Sequence, residues 1–116
     1  MTTESTIQKQ IQLALSEAGC LIWRNETGNF WAGKQLHRAG EQVTLANARM
    51  VPCGLCKGSS DLVGLDPTGR FLAVEVKTPS GRPSKEQLNF IQRVNEAGGI
   101  AGIARSPQEA LDLISR

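Results

Sequence analysis

The chain has 116 residues, 40% of them hydrophobic and 21% charged, with a formal net charge of +2. That length holds a single domain around one modest core, and that balance excludes an intrinsically disordered chain. A net charge this small does not by itself predict a polyanionic partner. No apolar run approaches the ~20 residues that a membrane-spanning helix needs.

After Met1 the sequence runs straight into the polar Thr2-Thr3-Glu4-Ser5, which is not the pattern of a secretory leader. Three cysteines, an odd number, fit a reducing cytoplasm better than a disulfide framework. Trp23, Phe30, Trp31, Phe71 and Phe90 are the only aromatic residues, so stacking on nucleic-acid bases is no obvious main mode of recognition.

The first predicted element is a helix from Thr3 to Ala18, with Ile7, Ile11, Ala14, Leu15 and Ala18 as its apolar stripe and Gly19 as its stop. Glu4 falls three residues before Ile7, on the same stripe. An acid in the first turn is already favoured by the helix dipole, by about 0.3–1 kcal/mol. Cys20-Leu-Ile-Trp-Arg24 reads as a strand, with Arg24 and Asn25 at its end available to a phosphate or to the strand terminus itself. From Thr27 to Pro52 the pattern is poor, and an irregular or loosely hairpinned insertion is expected. Five basic residues (Arg24, Lys34, Arg38, Arg49, Lys57) and His37 stand in or beside it against Glu26 and Glu41. Such a local excess suits either a phosphate backbone or a solvated loop.

Cys53-Gly-Leu-Cys56 is a C-x-x-C, but neither Cys20 nor His37 is spaced to complete a zinc site, and no helix start follows to activate a redox pair. It is taken as part of a glycine-rich turn. The following stretch, Gly58 to Lys77, reads as two strands, Asp61–Leu65 and Arg70–Lys77, joined by Asp66-Pro67-Thr68-Gly69. Alternation places Leu72, Val74 and Val76 on one face and Phe71, Ala73, Glu75 and Lys77 on the other. The hairpin would carry Asp61 toward Glu75. Two carboxylates beside a lysine, at the end of an apolar hairpin, are costly unless something binds there. A hard divalent cation with oxygen ligands is the simplest occupant; a salt bridge from Glu75 to Lys77 or Arg70 is the plain alternative.

After a rigid polar loop, Ser84 opens a helix with Gln87 at the capping-box position, and Gly98-Gly99 end it. Ile100–Ala104 is a short buried strand, and Ser106-Pro107 caps a last helix through Leu111 and Ile114. The order of elements predicts an α/β fold, a mixed sheet of four or five strands with helices on both faces.

The run Gly58-Ser59-Ser60-Asp61-Leu62-Val63-Gly64, then Glu75-Val76-Lys77, then Ser84-Lys85-Glu86-Gln87, resembles the VRR-NUC family of the PD-(D/E)xK nuclease superfamily. The amino-terminal helix with Glu4, followed by Trp23-Arg24-Asn25, also fits that layout, so the likeness runs from Glu4 to the chain end. One departure is Ser60, which stands where many superfamily members have a proline that supplies no ligand. The resemblance implies a restriction-endonuclease-like fold over residues 1–116 and metal-dependent hydrolysis of DNA. It places Mg2+ or Mn2+ on Asp61, Glu75 and the Val76 carbonyl, with Lys77, Gln87 and Glu4 completing the catalytic set. Arg24, Asn25, Lys34, Arg38, Arg49 and Lys57 are the expected DNA contacts. The chain is near the minimal domain, as in small stand-alone phage and bacterial members that look like Holliday-junction resolvases. Branched DNA, a homodimer and the cytoplasm of a bacterium or phage-infected host are therefore expected. The rivals are a nuclease acting on flaps, ends or plain duplex, and a non-catalytic DNA-binding module stapled by zinc at Cys53 and Cys56.

Overall fold

A computed structural model describes residues 3–115. In chain order the elements are α1 (Glu4–Glu17), β1 (Leu21–Arg24), β2 (Gly28–Ala39), β3 (Gln42–Cys53), β4 (Leu62–Leu65), β5 (Phe71–Val76), α2 (Lys85–Glu96), β6 (Ile100–Ala104) and α3 (Pro107–Ile114). Four strands form one mixed sheet in the order β1-β4-β5-β6, antiparallel except for the β5–β6 pair. That parallel pair is what α2 connects, as a parallel crossover requires.

The elements start and stop where local chemistry says they should. Thr3 caps α1 by accepting the amide of Thr6 on its hydroxyl, and Gly19, at a φ of +93°, turns the chain so that Cys20 returns its amide to the Leu15 carbonyl. Between β4 and β5, Asp66 organises the turn: its Oδ1 accepts the Thr68 amide, the Thr68 hydroxyl and the Arg70 amide, at 2.8–2.9 Å. These bonds, the Thr68 hydroxyl foremost, hold the Asp66 carboxyl below its ordinary range against the opposing effect of burial.

The central strand β5 is buried on both sides, and its alternation divides the core in two. Leu72, Val74 and Val76 pack with Ile7, Ile11 and Leu15 of α1 and Ala110 and Leu113 of α3. Ala73 faces the other way, joining Val63 and Ala101 beneath Phe90, Ile91 and Val94 of α2. Helices therefore cover both faces of a four-stranded sheet. At the β1–β4 contact a Cβ on Gly64 would collide with the Leu21 carbonyl, so only glycine lets these strands pair closely.

The segment expected to be irregular or loosely hairpinned is a hairpin, more extensively paired than that reading implied. Residues 28–53 form a regular two-stranded antiparallel ribbon, twelve residues on each side, closed by the two-residue turn Gly40-Glu41 with Gly40 at a φ of +60°. Two register breaks, near Asn47 (φ +53°) and Leu36, shift the side-chain alternation from one face to the other along the strands. Most ribbon residues are also exposed, so no burial pattern separates inside from outside. Both effects erase the period of two that marks a strand in sequence.

Followed through its breaks, the ribbon is two-faced. Trp31 pairs with Met50, and the same face continues through Ala48 and Leu45 to Val43; Trp31, Val43, Leu45 and Ala48 line one hollow. The opposite face carries Phe30 with Val51, Arg49 with Ala32, Lys34 with Ala46, and His37 with Thr44. Among the described residues the ribbon pairs only with itself, outside the four-stranded sheet. The radius of gyration, 16.2 Å with extents of 49 × 32 × 28 Å, exceeds the ~13 Å of a compact chain this long. No helix among the described residues is long and apolar enough to cross a membrane.

Candidate active site

The β4–β5 register pairs Leu62 with Val74, and one step further it sets Asp61 against Glu75 on the face that α2 covers. The backbone fixes Asp61 from both sides. Its carbonyl accepts the Asn25 amide at 2.8 Å, and its Oδ2 accepts the Val76 amide at 2.9 Å. Asp61 is thus held by the two strands that flank it, with Oδ1 left to point elsewhere.

Glu75 is 1% exposed in the middle of the sheet. Its Oε2 accepts Gln87 Nε2 at 3.1 Å and lies 3.6 Å from Lys77 Nζ, while Oε1 is buried without a hydrogen-bond partner among the described residues. The Glu75 carboxyl is raised from 4.5 to about 9, by burial first and then by its contact with Asp61 and that neighbour's charge, with Lys77 opposing and Glu4 adding a last upward effect. A carboxylate so placed holds a proton, or it needs a cation. Oxygen donors from Asp61 and Glu75, one of them orphaned, are the donor set that a hard divalent ion takes.

Gln87 reaches this site from the first turn of α2. Ser84 accepts the Gln87 amide on its hydroxyl, and Gln87 Oε1 accepts the Ser84 amide at 2.8 Å, which completes the capping box. The same side chain spends its Nε2 on Glu75. Capping the helix and holding Glu75 are performed together by one amide. Lys77 follows β5 with its side chain only 14% exposed, and its amide donates to the Ala104 carbonyl at 3.2 Å.

The remaining expected site residues separate into groups. Glu4 is exposed in the first turn of α1 and bears on Glu75 only through its charge. Arg24 is exposed and pairs with Glu26. Asn25 is tied internally: Nδ2 donates to Ser59 Oγ (2.8 Å) and to the Ser60 carbonyl (2.9 Å), and Oδ1 accepts the Leu55 amide (3.2 Å). These bonds fasten the 54–60 loop to the end of β1, directly before Asp61. Lys34 and Arg49 share the polar face of the ribbon; Arg38 lies on the other face near the tip, with its Nε on the Gly40 carbonyl. Lys57 is exposed beside Glu86, at 3.9 Å.

Cys53 and Cys56 are exposed free thiols, whereas Cys20 is buried in the main core. Among the described residues no three His, Cys, Asp or Glu side chains gather as one metal cluster, so neither the cysteines nor the carboxylates have a third partner of those types. Sequence reasoning missed three residues around this region. Lys85, Asn89 and Arg93 line a cavity beside the active-site end of α2, and their i, i+4, i+8 spacing was the signal that could have found them.

A mixed sheet covered by helices on both faces, with an aspartate and a glutamate paired across adjacent strands and a lysine two residues on, defines an α/β protein with an acidic, lysine-flanked candidate site. The VRR-NUC domain model matches residues 3–108, and the chain belongs to that family of DNA nucleases. A solved structure described as a VRR_NUC domain superposes with a TM-score of 0.60 at 20% identity, over 100% of this chain and 98% of the other. No curated protein matches.

Proposed function

We propose that this chain is a Mg2+- or Mn2+-dependent, structure-selective DNA endonuclease that acts on branched DNA, with a four-way junction as the preferred substrate. The observation that carries the chemistry is the buried, unpartnered Oε1 of Glu75 beside Asp61, because an ionised pair there is stable only around a cation. Asp61, Glu75 and the Val76 carbonyl would hold the ion, which supplies charge neutralisation at the phosphate and a more acidic water.

The chain's own groups set the geometry. Val76 N–H fixes Asp61 through Oδ2, so that carboxylate is oriented before anything binds and loses little side-chain freedom on binding. Gln87 Nε2 holds Oε2 of Glu75 and fixes the orientation of that carboxylate. Lys77, largely shielded from solvent, places its ammonium where negative charge develops on the phosphate, or where it orients the attacking water. The Lys34 and Arg49 face of the ribbon offers phosphate contacts away from the cut. A junction has two symmetric scissile phosphates, and a homodimer with two such sites matches them.

A panel of four-way junction, flap and linear duplex, each with Mg2+, Mn2+ or chelator, tests this reading. Paired nicks across the junction that vanish with chelator and with Glu75→Ala are expected. Cleavage that persists in Glu75→Ala overturns the mechanism, and preference for a free arm overturns the junction assignment.

A further inference from the structure

The loop that leads into Asp61 packs against the start of α2 so closely that a Cβ on Gly58 would meet the Glu86 carbonyl at 2.6 Å, and Gly58 adopts a φ of +86° there. Between this loop and the helix lies a cavity of about 620 Å³. Phe90 forms its apolar wall, Asn89 contributes an amide, and Lys57, Lys85 and Arg93 are its cations against the single acid Glu86. Glu86 is already partnered by Lys57. Glu86, Asn89 and Arg93 turn outward on the helix, and the half-buried Phe90 stands at the boundary, packed with Ile91 and Val94 against the sheet while also lining the cavity. Phe90 is one turn from Gln87, and Gln87 touches Glu75.

The cavity is also one end of a longer track. A 250 Å³ cleft at Asp61, lined in part by Gln8, Arg24 and Thr27, shares Thr27 with a 580 Å³ cleft along residues 52–57. That second cleft shares Cys56 and Lys57 with the cavity on α2. The three clefts thus adjoin one another from Asp61 to Phe90, with Arg24, Lys57, Lys85 and Arg93 along them against Glu26, Asp61 and Glu86, the cations gathering at the Phe90 end.

We infer that the groove between the 56–58 loop and α2 holds an unpaired DNA strand leaving the cleaved phosphate, with a base lying on Phe90 and backbone phosphates on Lys57, Lys85 and Arg93. The claim rests on the nuclease reading above: on a four-way junction the groove takes the nucleotides that unpair at the branch point beside the cut. An aromatic face with cations around it takes any base and tracks a flexible backbone. A paired strand keeps its bases stacked inside the duplex and has none to offer Phe90. A single ring cannot carry affinity alone, so the groove selects for unpaired nucleotides next to the cut while the rest of the surface binds duplex.

Fluorescence anisotropy in EDTA, with a labelled single-stranded oligo-dT and a blunt duplex of the same length, tests the groove without cleavage. Phe90→Leu, which keeps apolar contact with Ile91 and Val94 but removes the ring, is expected to weaken oligo-dT binding about tenfold. The exposed pair Lys85→Glu with Arg93→Glu does the same independently of core packing, and duplex affinity stays within about twofold in both. Unchanged oligo-dT affinity in folded variants overturns the inference, as does an equal loss on duplex. If the wild-type protein cleaves nothing with any metal yet shows this strand preference, the nuclease reading falls and the groove stands. If it cleaves and the variants bind oligo-dT normally, the groove alone falls.

Discussion

Gln87 binds Glu75 and the Ser84 amide at once, 3.1 Å from the first and 2.8 Å from the second. Helix α2 is therefore pinned to the candidate metal carboxylate by the residue that also closes its amino terminus. Any shift of the first turn of α2 moves the donor that orients Glu75.

Paired substitutions separate the two roles of that amide. Ser84→Ala removes the hydroxyl that accepts the Gln87 amide, and it is expected to cost about 1 kcal/mol of stability with cleavage nearly intact. Gln87→Ala should cost a similar amount of stability and also lower cleavage about 10–100-fold, as the loss of a group that orients a metal ligand does. Denaturant melts alongside initial cleavage rates check this. Equal activity in the two variants would leave Gln87 a capping residue only.

Glu75 gives the metal-free protein a pH dependence with a definite sign. Its carboxyl is raised from 4.5 to about 9 in the folded state by burial first and by Asp61 next. Between those values the native protein retains a proton that the unfolded chain has released, so stability is full below about pH 4.5 and is lost as pH rises toward 9. Glu75→Gln removes the ionisation. In EDTA at pH 8 this variant should melt above the wild-type protein, with the gap closing near pH 4. Added Mg2+ should raise the wild-type melting temperature at pH 8 and leave that of Glu75→Gln unchanged, while cleavage by the variant is lost.

Much of this arrangement was legible in the sequence, and the unread part has a physical cause. The turn chemistry of Asp66 and Gly69, the caps at Ser84 and Ser106 and the two faces of β5 are local properties, and each stands where the residue pattern placed it. The antiparallel register that sets Asp61 against Glu75 follows from the length of one tight turn. The ribbon was unreadable because its strands have solvent on most of both faces, and the breaks near Leu36 and Asn47 scramble the alternation. Asn25, left open in the sequence between a phosphate and the strand terminus, was undecidable there for another reason. A polar residue at a strand end looks the same in sequence whether it meets a phosphate or, as here, three groups of its own chain.

Asn25 should accordingly act through the loop it fastens. Asn25→Ala leaves the Ser60 carbonyl and the Leu55 amide without their side-chain partner, and about 2 kcal/mol of destabilisation is expected. Hydrogen exchange at residues 54–60 should speed up relative to α1 and α3. Arg24→Ala, which breaks only an exposed pair with Glu26, should change stability by less than about 0.5 kcal/mol. Identical exchange profiles in the two variants would contradict this division of labour.

The ribbon's polar face makes a quantitative claim about DNA. Lys34 and Arg49 lie on that face and Arg38 on the other, so a duplex approaching from the polar side meets the first two and misses the third. Removing one cation from a phosphate lowers the magnitude of the slope of log K against log salt by about 0.9. Lys34→Ala with Arg49→Ala should flatten that slope by about 2, and Arg38→Ala should leave it unchanged. None of the three should alter the melting temperature by more than about 2 °C, since the ribbon stands outside the four-stranded sheet and all three side chains are exposed. Duplex binding titrated from 50 to 200 mM salt measures it. A flattened slope in Arg38→Ala, with none in the double variant, would place DNA on the Trp31 and Val43 face instead.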